Sequence, residues 1–178
     1  ATDAGGTAGA KPVTVVLYED FQCPVCKAFE AANGGFLDQQ VKSGAITIQY
    51  RPFAFLDGSS STKYATRAMN AAMCVLDKGG VTAYKKVHDI LYANQPAEGT
   101  AGLPNSSLIG FANQAGVTGL DACIKSEKFA PWVGKAKERV QKDKVTGTPT
   151  VRINGKNVTG AGGAVPQVSD LQKAIAAG

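Results

Sequence analysis

The segment Phe21-Gln22-Cys23-Pro24-Val25-Cys26 stands directly after an apolar, β-branched run, Val13 to Tyr18 (VTVVLY), and directly before a stretch with helical spacing. The run reads as a buried strand of an α/β sheet, because strands covered on both faces carry near-continuous apolar residues. Phe29, Ala32, Phe36, Leu37 and Val41 then recur at three- and four-residue intervals, the period of one helix face. Gly34-Gly35 is expected to kink or interrupt that helix. Two cysteines three apart on a first helical turn can bring their sulfurs together, while the same turn exposes unpaired backbone N–H groups and the positive end of the helix dipole. Cys23 is thereby expected to favour the thiolate, to be the exposed sulfur that attacks or is attacked, and to leave Cys26, one turn inside, to resolve the exchange. Pro24 suits the first helical position, where a missing N–H costs nothing.

Ala45 to Phe53 (AITIQYRPF) alternates and reads as a second strand, joined to the first by the intervening helix as a crossover. From Leu56 to about Pro131 the β signals stop, and helical stretches are expected near 59–78, 80–93, 105–115 and 118–126. Asn105 or Ser106 can cap one of these, and Gly79-Gly80 and Gly116 mark ends. A longer helix near 131–144 leads to Thr150–Ile153 and Lys156–Thr159, two β-rich runs around Asn154-Gly155 that signal a two-residue hairpin. A last helix, Val168 to Ala176, follows Pro166, and Gly160–Gly163 reads as a loop without phosphate-binding glycine spacing. The expected organisation is a Gly-rich tether over 1–10, a first α/β part over 11–55, a helical insertion over 56–130 and a second α/β part over 131–178. The tether suits either the remnant of a removed export signal or membrane anchor, or a trimmed boundary.

With 178 residues and 44% hydrophobic content the chain can bury a genuine core, and no run of about 18 apolar residues is present to cross a bilayer. The net charge of +5 comes from Lys and Arg spread along the chain, which speaks for solubility and against nucleic-acid binding. Four cysteines, at 23, 26, 74 and 123, are compatible with two disulfides in an oxidising compartment. The CxxC could instead be half of a zinc site completed by Cys74 and Cys123, although structural zinc sites usually bring ligands in two close pairs. An inert structural disulfide is the third reading, and redox chemistry is favoured over both.

In this order, FQCPVCKAFE after VTVVLYED, a long helical insert, and TGTPTVRING near the end resemble the DsbA-type branch of the thioredoxin superfamily found among Gram-positive and actinobacterial exported proteins. The resemblance covers most of residues 11 to 178. It implies a thioredoxin fold interrupted by a helical domain, an extracytoplasmic location, and exchange through Cys23 and Cys26 that introduces disulfides into unfolded or reduced exported proteins. No metal or organic cofactor is implied; a membrane partner, either DsbB-like or a homologue of vitamin K epoxide reductase, would recharge the dithiol, and a monomer is expected. By position, Pro149 would be the cis proline facing the sulfurs, and Thr148 the residue whose backbone pairs with an extended client. Some actinobacterial relatives carry a second, structural disulfide in the insert, which would join Cys74 and Cys123; two free buried thiols are the alternative.

Two positions depart from the family pattern. Strong oxidants of the family often carry His where this chain has Val25, and many relatives place a buried acid where this chain has Leu17. Glu19 and Asp20 remain as candidates for proton transfer, or as surface or capping acids. His88, the only histidine, is expected to be a solvated helix residue without a catalytic role. Trp132, Phe53 and Phe55 could line a client groove or belong to the core. A reductase or isomerase is the second enzymatic reading, and a peptide-binding chaperone domain with a structural CxxC the non-enzymatic one.

Overall fold

A computed structural model describes residues 11–177, so the tether assigned to 1–10 lies outside the described residues. Strand β1 (Val13–Glu19) enters helix α1 (Pro24–Lys42), which crosses over to strand β2 (Ile46–Pro52). A crossover helix lets β2 pair parallel to β1, with Leu17 opposite Tyr50. Strands β3 (Thr150–Ile153) and β4 (Lys156–Val158) form a hairpin, and β3 pairs antiparallel to β1, completing the sheet order β2-β1-β3-β4. The turn needs two left-handed residues, which Asn154 (φ 47°) and Gly155 (φ 80°) supply.

One face of β1 presents Val15 and Leu17 to Phe29 and Leu37 of α1 and to Leu171 of helix α6 (Val168–Ala176). The other presents Val16 and Tyr18 towards Val140 of helix α5 (Ala130–Lys142) and Val145. Being covered on both sides, β1 has the continuous apolar composition that such a position requires. The expected α/β class with an inserted set of helices is borne out.

Between β2 and α5 lie helices α2 (Tyr64–Ala93), α3 (Asn105–Gln114) and α4 (Asp121–Lys125), preceded by a 3-10 turn at Leu56–Ser59. The two helices expected over 59–78 and 80–93 are one element broken at Gly80 (φ 74°, ψ −172°). At the neighbouring Gly79 a Cβ would collide with Val117 and Ala83, so the pair of glycines serves both a break and a close approach.

Two local expectations fail. Gly34-Gly35 does not interrupt α1, which is continuous over its 19 residues. Each glycine costs roughly 1 kcal/mol in a helix, less than the roughly 1.5–3 kcal/mol from burying a side chain such as Phe29 or Leu37 on the same helix. Neither Asn105 nor Ser106 caps α3: Pro104 precedes its first turn without a side-chain cap, and Asn105 Oδ1 instead accepts a hydrogen bond from Arg67 at 3.1 Å. Among the described residues no helix is long and apolar enough to cross a membrane.

Candidate active site

The site is built where β1 hands the chain to α1. Cys23 stands just before the helix with an extended backbone (φ −77°, ψ 116°), and Pro24 occupies the first turn. The intervening turn is pinned from several directions. The Asp20 carboxylate accepts hydrogen bonds from the backbone N–H of Gln22 (2.7 Å) and of Leu56 (2.8 Å), and the Cys23 N–H donates to the Asp20 carbonyl (3.0 Å). Gln95, just past α2, donates through Nε2 to the carbonyls of Phe21 (3.1 Å) and Cys23 (3.0 Å). Gln22 donates in return to the carbonyls of Ala97 (3.1 Å) and Thr100 (3.2 Å). The end of α2 and the loop after it thus hold the CxxC turn, a task for Gln22 and Gln95 that nothing in their sequence context signals.

Cys23 and Cys26 are unbonded, with 6% and 1% of their surfaces exposed. Cys23 was expected to be open; it is largely covered, because the Thr148 carbonyl accepts its thiol at 3.6 Å. The peptide bond between Thr148 and Pro149 is cis. The buried Thr148 hydroxyl has no hydrogen-bond partner of its own and is available to donate to a thiolate. Cys23 is lowered to about 6, first by the hydrogen bond from the Cys26 thiol; burial opposes this, and Thr148 and the N–H groups of Cys26 and Val25 add to it. Cys26 is pushed far above the usual thiol range, first by burial and then by the hydrogen bond and charge it shares with Cys23. One sulfur is therefore ionised at neutral pH while its partner holds its proton.

Cys74 and Cys123 are joined, with an S–S distance of 2.01 Å and a sequence separation of 49, linking α2 to α4. Bonded to each other, they cannot complete a four-sulfur metal set with Cys23 and Cys26. Val25 (45% exposed), Phe55 (49%) and Trp132 (41%) lie at the surface, whereas Phe53 is core.

Glu19 and Asp20 are both buried. Burial pushes Asp20 up to about 6 against its backbone hydrogen bonds. Leu17 packs in the core, and Glu19 lies two residues further along the same strand face, one pleat nearer the cysteines.

The expectation of a solvated His88 is overturned: its side chain is fully buried. His88 Nε2 lies 3.0 Å from Glu19 Oε2 and Nδ1 lies 3.0 Å from Asp89 Oδ1. Burial works against its charge, but Glu19 and Asp89 outweigh that and raise it to about 10. With a carboxylate at each ring nitrogen, the imidazolium is the form that satisfies both. Tyr92 completes the arrangement, its hydroxyl 3.3 Å from both Glu19 Oε2 and the Asp20 carbonyl. A signal was present in the sequence: Tyr84, His88 and Tyr92 recur every fourth residue and share the buried face of α2.

A mixed four-stranded sheet whose first strand delivers a CxxC to a helix N-terminus, facing a Thr-Pro loop, defines a thioredoxin-fold protein with a dithiol site. The chain matches the family model described as "Thioredoxin" over residues 5–177, and it belongs to that family. It is similar to the reduced disulfide bond oxidoreductase DsbG of Mycobacterium tuberculosis, with 33% identity, a TM-score of 0.77, and coverage of 98% of this chain and 89% of that one. It is likewise similar to reduced DsbA of Mycobacterium tuberculosis, with 32% identity, a TM-score of 0.75, and coverage of 98% and 94%. These relationships make it a DsbA-like member of the thiol-disulfide oxidoreductases. The serine/threonine-protein kinase PknE of Mycobacterium tuberculosis is 29% identical over 93 residues, 51% of this chain and 16% of the kinase. The chain thus spans about a sixth of the length of that curated relative.

Proposed function

We propose that this chain is an extracytoplasmic thiol-disulfide oxidoreductase that introduces disulfide bonds into exported proteins. The observation that carries the reading is the opposite displacement of the two thiols, Cys23 down to about 6 and Cys26 far up. A client thiolate attacks Cys23 of the oxidised pair and Cys26 leaves. A second client thiolate then attacks the client sulfur of the mixed disulfide and releases Cys23 as its stable thiolate. Stabilising that thiolate stabilises the reduced protein, which makes the oxidised form the stronger oxidant.

Thr148 offers its backbone to an extended client beside Pro149, and Pro24 and Val25 form the rim of the motif. Residues 56–130 act as an insertion that clamps the CxxC turn, between α/β parts at 11–55 and 131–178. The buried acids Glu19 and Asp20 handle protons behind Cys26; Asp20 has both oxygens committed to the turn, whereas Glu19 Oε1 has no partner and is the freer. Reduced exported proteins and a membrane reoxidant, DsbB-like or a homologue of vitamin K epoxide reductase, are the partners of a monomer. The Cys74–Cys123 disulfide supports an oxidising compartment.

Equilibration with glutathione tests the reading. The Cys23–Cys26 pair is expected to have a potential between about −270 mV and about −120 mV, the values of thioredoxin and DsbA, whereas a structural staple would lie below about −300 mV. A value at or below the thioredoxin end, about −270 mV, would favour the reductase reading.

Val25 leaves the helix dipole, backbone N–H groups and neighbouring hydroxyl and thiol to hold the thiolate. Val25→His is therefore expected to lower the Cys23 pKa further and raise the potential; an unchanged potential refutes this account. Thiolate absorbance of the parent should titrate with a midpoint near 6. Because that pKa lies below the ordinary thiol value of 9.0, reduced protein gains stability relative to oxidised protein as pH rises from 6 to 9. The gain disappears as pH falls through 6, and denaturation midpoints of both forms across this window measure it.

A further inference from the structure

Two carboxylates and one imidazole, carried by three different elements, meet inside the molecule. Glu19 of β1, Glu30 of α1 and His88 of α2 each bring an oxygen or a nitrogen to within 4.8 Å of the others. Glu19 Oε2 and His88 Nε2 are already 3.0 Å apart. One imidazolium can offset only one of two ionised carboxylates, and a buried charge needs a partner. Oε1 of Glu19, in a residue 1% exposed, and Oε1 of Glu30 are both buried without a hydrogen-bond partner. The ammonium of Lys85 is held elsewhere, by Asp38 at 3.2 Å and Asp89 at 2.7 Å.

We propose that Glu19, Glu30 and His88 form a binding site for a divalent transition-metal ion of the zinc type. The site is independent of the exchange role of Cys23 and Cys26. A dication balances both carboxylates, where the imidazolium balances one. Zinc accepts imidazole nitrogen and carboxylate oxygen together, and commonly takes three protein ligands with water in a fourth position. Calcium and magnesium prefer sets made of oxygen alone.

The surroundings of the three residues suit a metal. His88 Nδ1 lies 3.0 Å from Asp89 Oδ1, so Asp89 keeps the ring proton on Nδ1 and leaves Nε2 to the ion, the outer-shell carboxylate that a ligating histidine ordinarily has. The Tyr92 hydroxyl reaches Glu19 Oε2 at 3.3 Å, which leaves Oε1 of the same carboxylate for the metal. Ligands about 2.1 Å from a tetrahedral ion stand about 3.4 Å apart, so the cluster has to contract slightly. Glu30 can supply that movement, because its Oε1 has no partner to give up and its side chain borders a cleft of about 320 Å³ between α1 and α2. The same cleft gives the ion its way in and supplies the water of the fourth position. On binding, a nitrogen–metal bond forms at Nε2, the proton held there leaves to solvent, and no electrons are transferred.

The test is zinc titration of metal-free, tag-free protein with Cys23 and Cys26 oxidised to a disulfide, so that no thiolate competes for the ion. One zinc per chain should bind at micromolar concentration, and calcium and magnesium should not. Tm should rise by roughly 5–11 °C when zinc is about 100-fold above its Kd. The chain has a single histidine, so its ring resonances report directly on the site and should shift with the same stoichiometry. Glu30→Gln, which removes a ligand without breaking a hydrogen bond at Oε1, should weaken zinc about ten-fold or more, and Asp89→Asn, at the positioning residue, by about 10–100-fold. Asp38→Asn, in the cleft wall but outside the cluster, should bind as the parent does. Binding only at millimolar zinc, equal binding of calcium, or histidine resonances that stay fixed as zinc binds would each overturn the site. So would a Glu30→Gln affinity equal to that of the parent, or an Asp38→Asn loss as large as that of Glu30→Gln. None of these outcomes depends on whether Cys23 and Cys26 exchange with clients, which the glutathione equilibrium decides separately.

Discussion

Cys26→Ala protein is expected to accumulate covalent mixed disulfides with reduced client proteins through Cys23, whereas Cys23→Ala protein forms none. Cys23 is the sulfur that carries stabilised negative charge, with the α1 N–H groups, the Cys26 thiol and Thr148 around it. Cys26 is buried, and its thiolate is strongly disfavoured until it can attack its neighbour. Removing Cys26 therefore stops the reaction after the first bond, while removing Cys23 stops it before. Loss of exchange in Cys23→Ala should be on the order of 10³-fold or more, as for other essential nucleophiles. Non-reducing gels with an unfolded, reduced substrate measure the outcome. Complexes that appear only in the Cys23→Ala variant would reverse the assignment of the two roles.

Replacing both Cys74 and Cys123 with Ala is expected to cost stability and leave exchange intact. The bridge closes a loop of sequence separation 49, for which the chain-entropy model gives about 4 kcal/mol. In a domain of this size roughly 2–4 °C is lost per kcal/mol, so Tm should fall by about 8–16 °C. The bond ties α2 to α4, and neither cysteine makes any of the hydrogen bonds through which Gln95 and the Asp20 carboxylate hold the CxxC turn. Calorimetry set beside the exchange rate at a temperature where both proteins are folded tests the separation. A large loss of rate with unchanged Tm would contradict a structural role.

The effect of the insertion on the site is itself physical. Gln95 and Tyr92 satisfy carbonyls of the CxxC turn from a chain segment roughly 70 residues away, Gln22 of the turn satisfies carbonyls of the loop after α2 in return, and such bonds matter most because a buried donor or acceptor left unmatched costs about 1–3 kcal/mol. The helices after β2 therefore do more than cover the sheet: their end holds the geometry in which Cys23 is ionised.

What the sequence determined by itself was governed by neighbours in the chain. The apolar run of β1, Pro24 opening α1 at the CxxC, the Asn154-Gly155 turn and the last helix are each specified by local sterics and periodicity, and all stand where local reasoning put them. Gly34-Gly35 escaped that reasoning because burial along α1 outweighs a local propensity. His88 is buried against the local expectation because burial of a histidine depends on what meets it, and Glu19 arrives from a strand 69 residues away. Glu30 carried no signal at all: an acid on a helix is ordinarily a solvated group, and only the packing of α1, β1 and α2 together turns it inward. Tertiary structure alone decided these charges because the cost of burying one is set by its partners, and those partners come from separate segments brought together only in the fold.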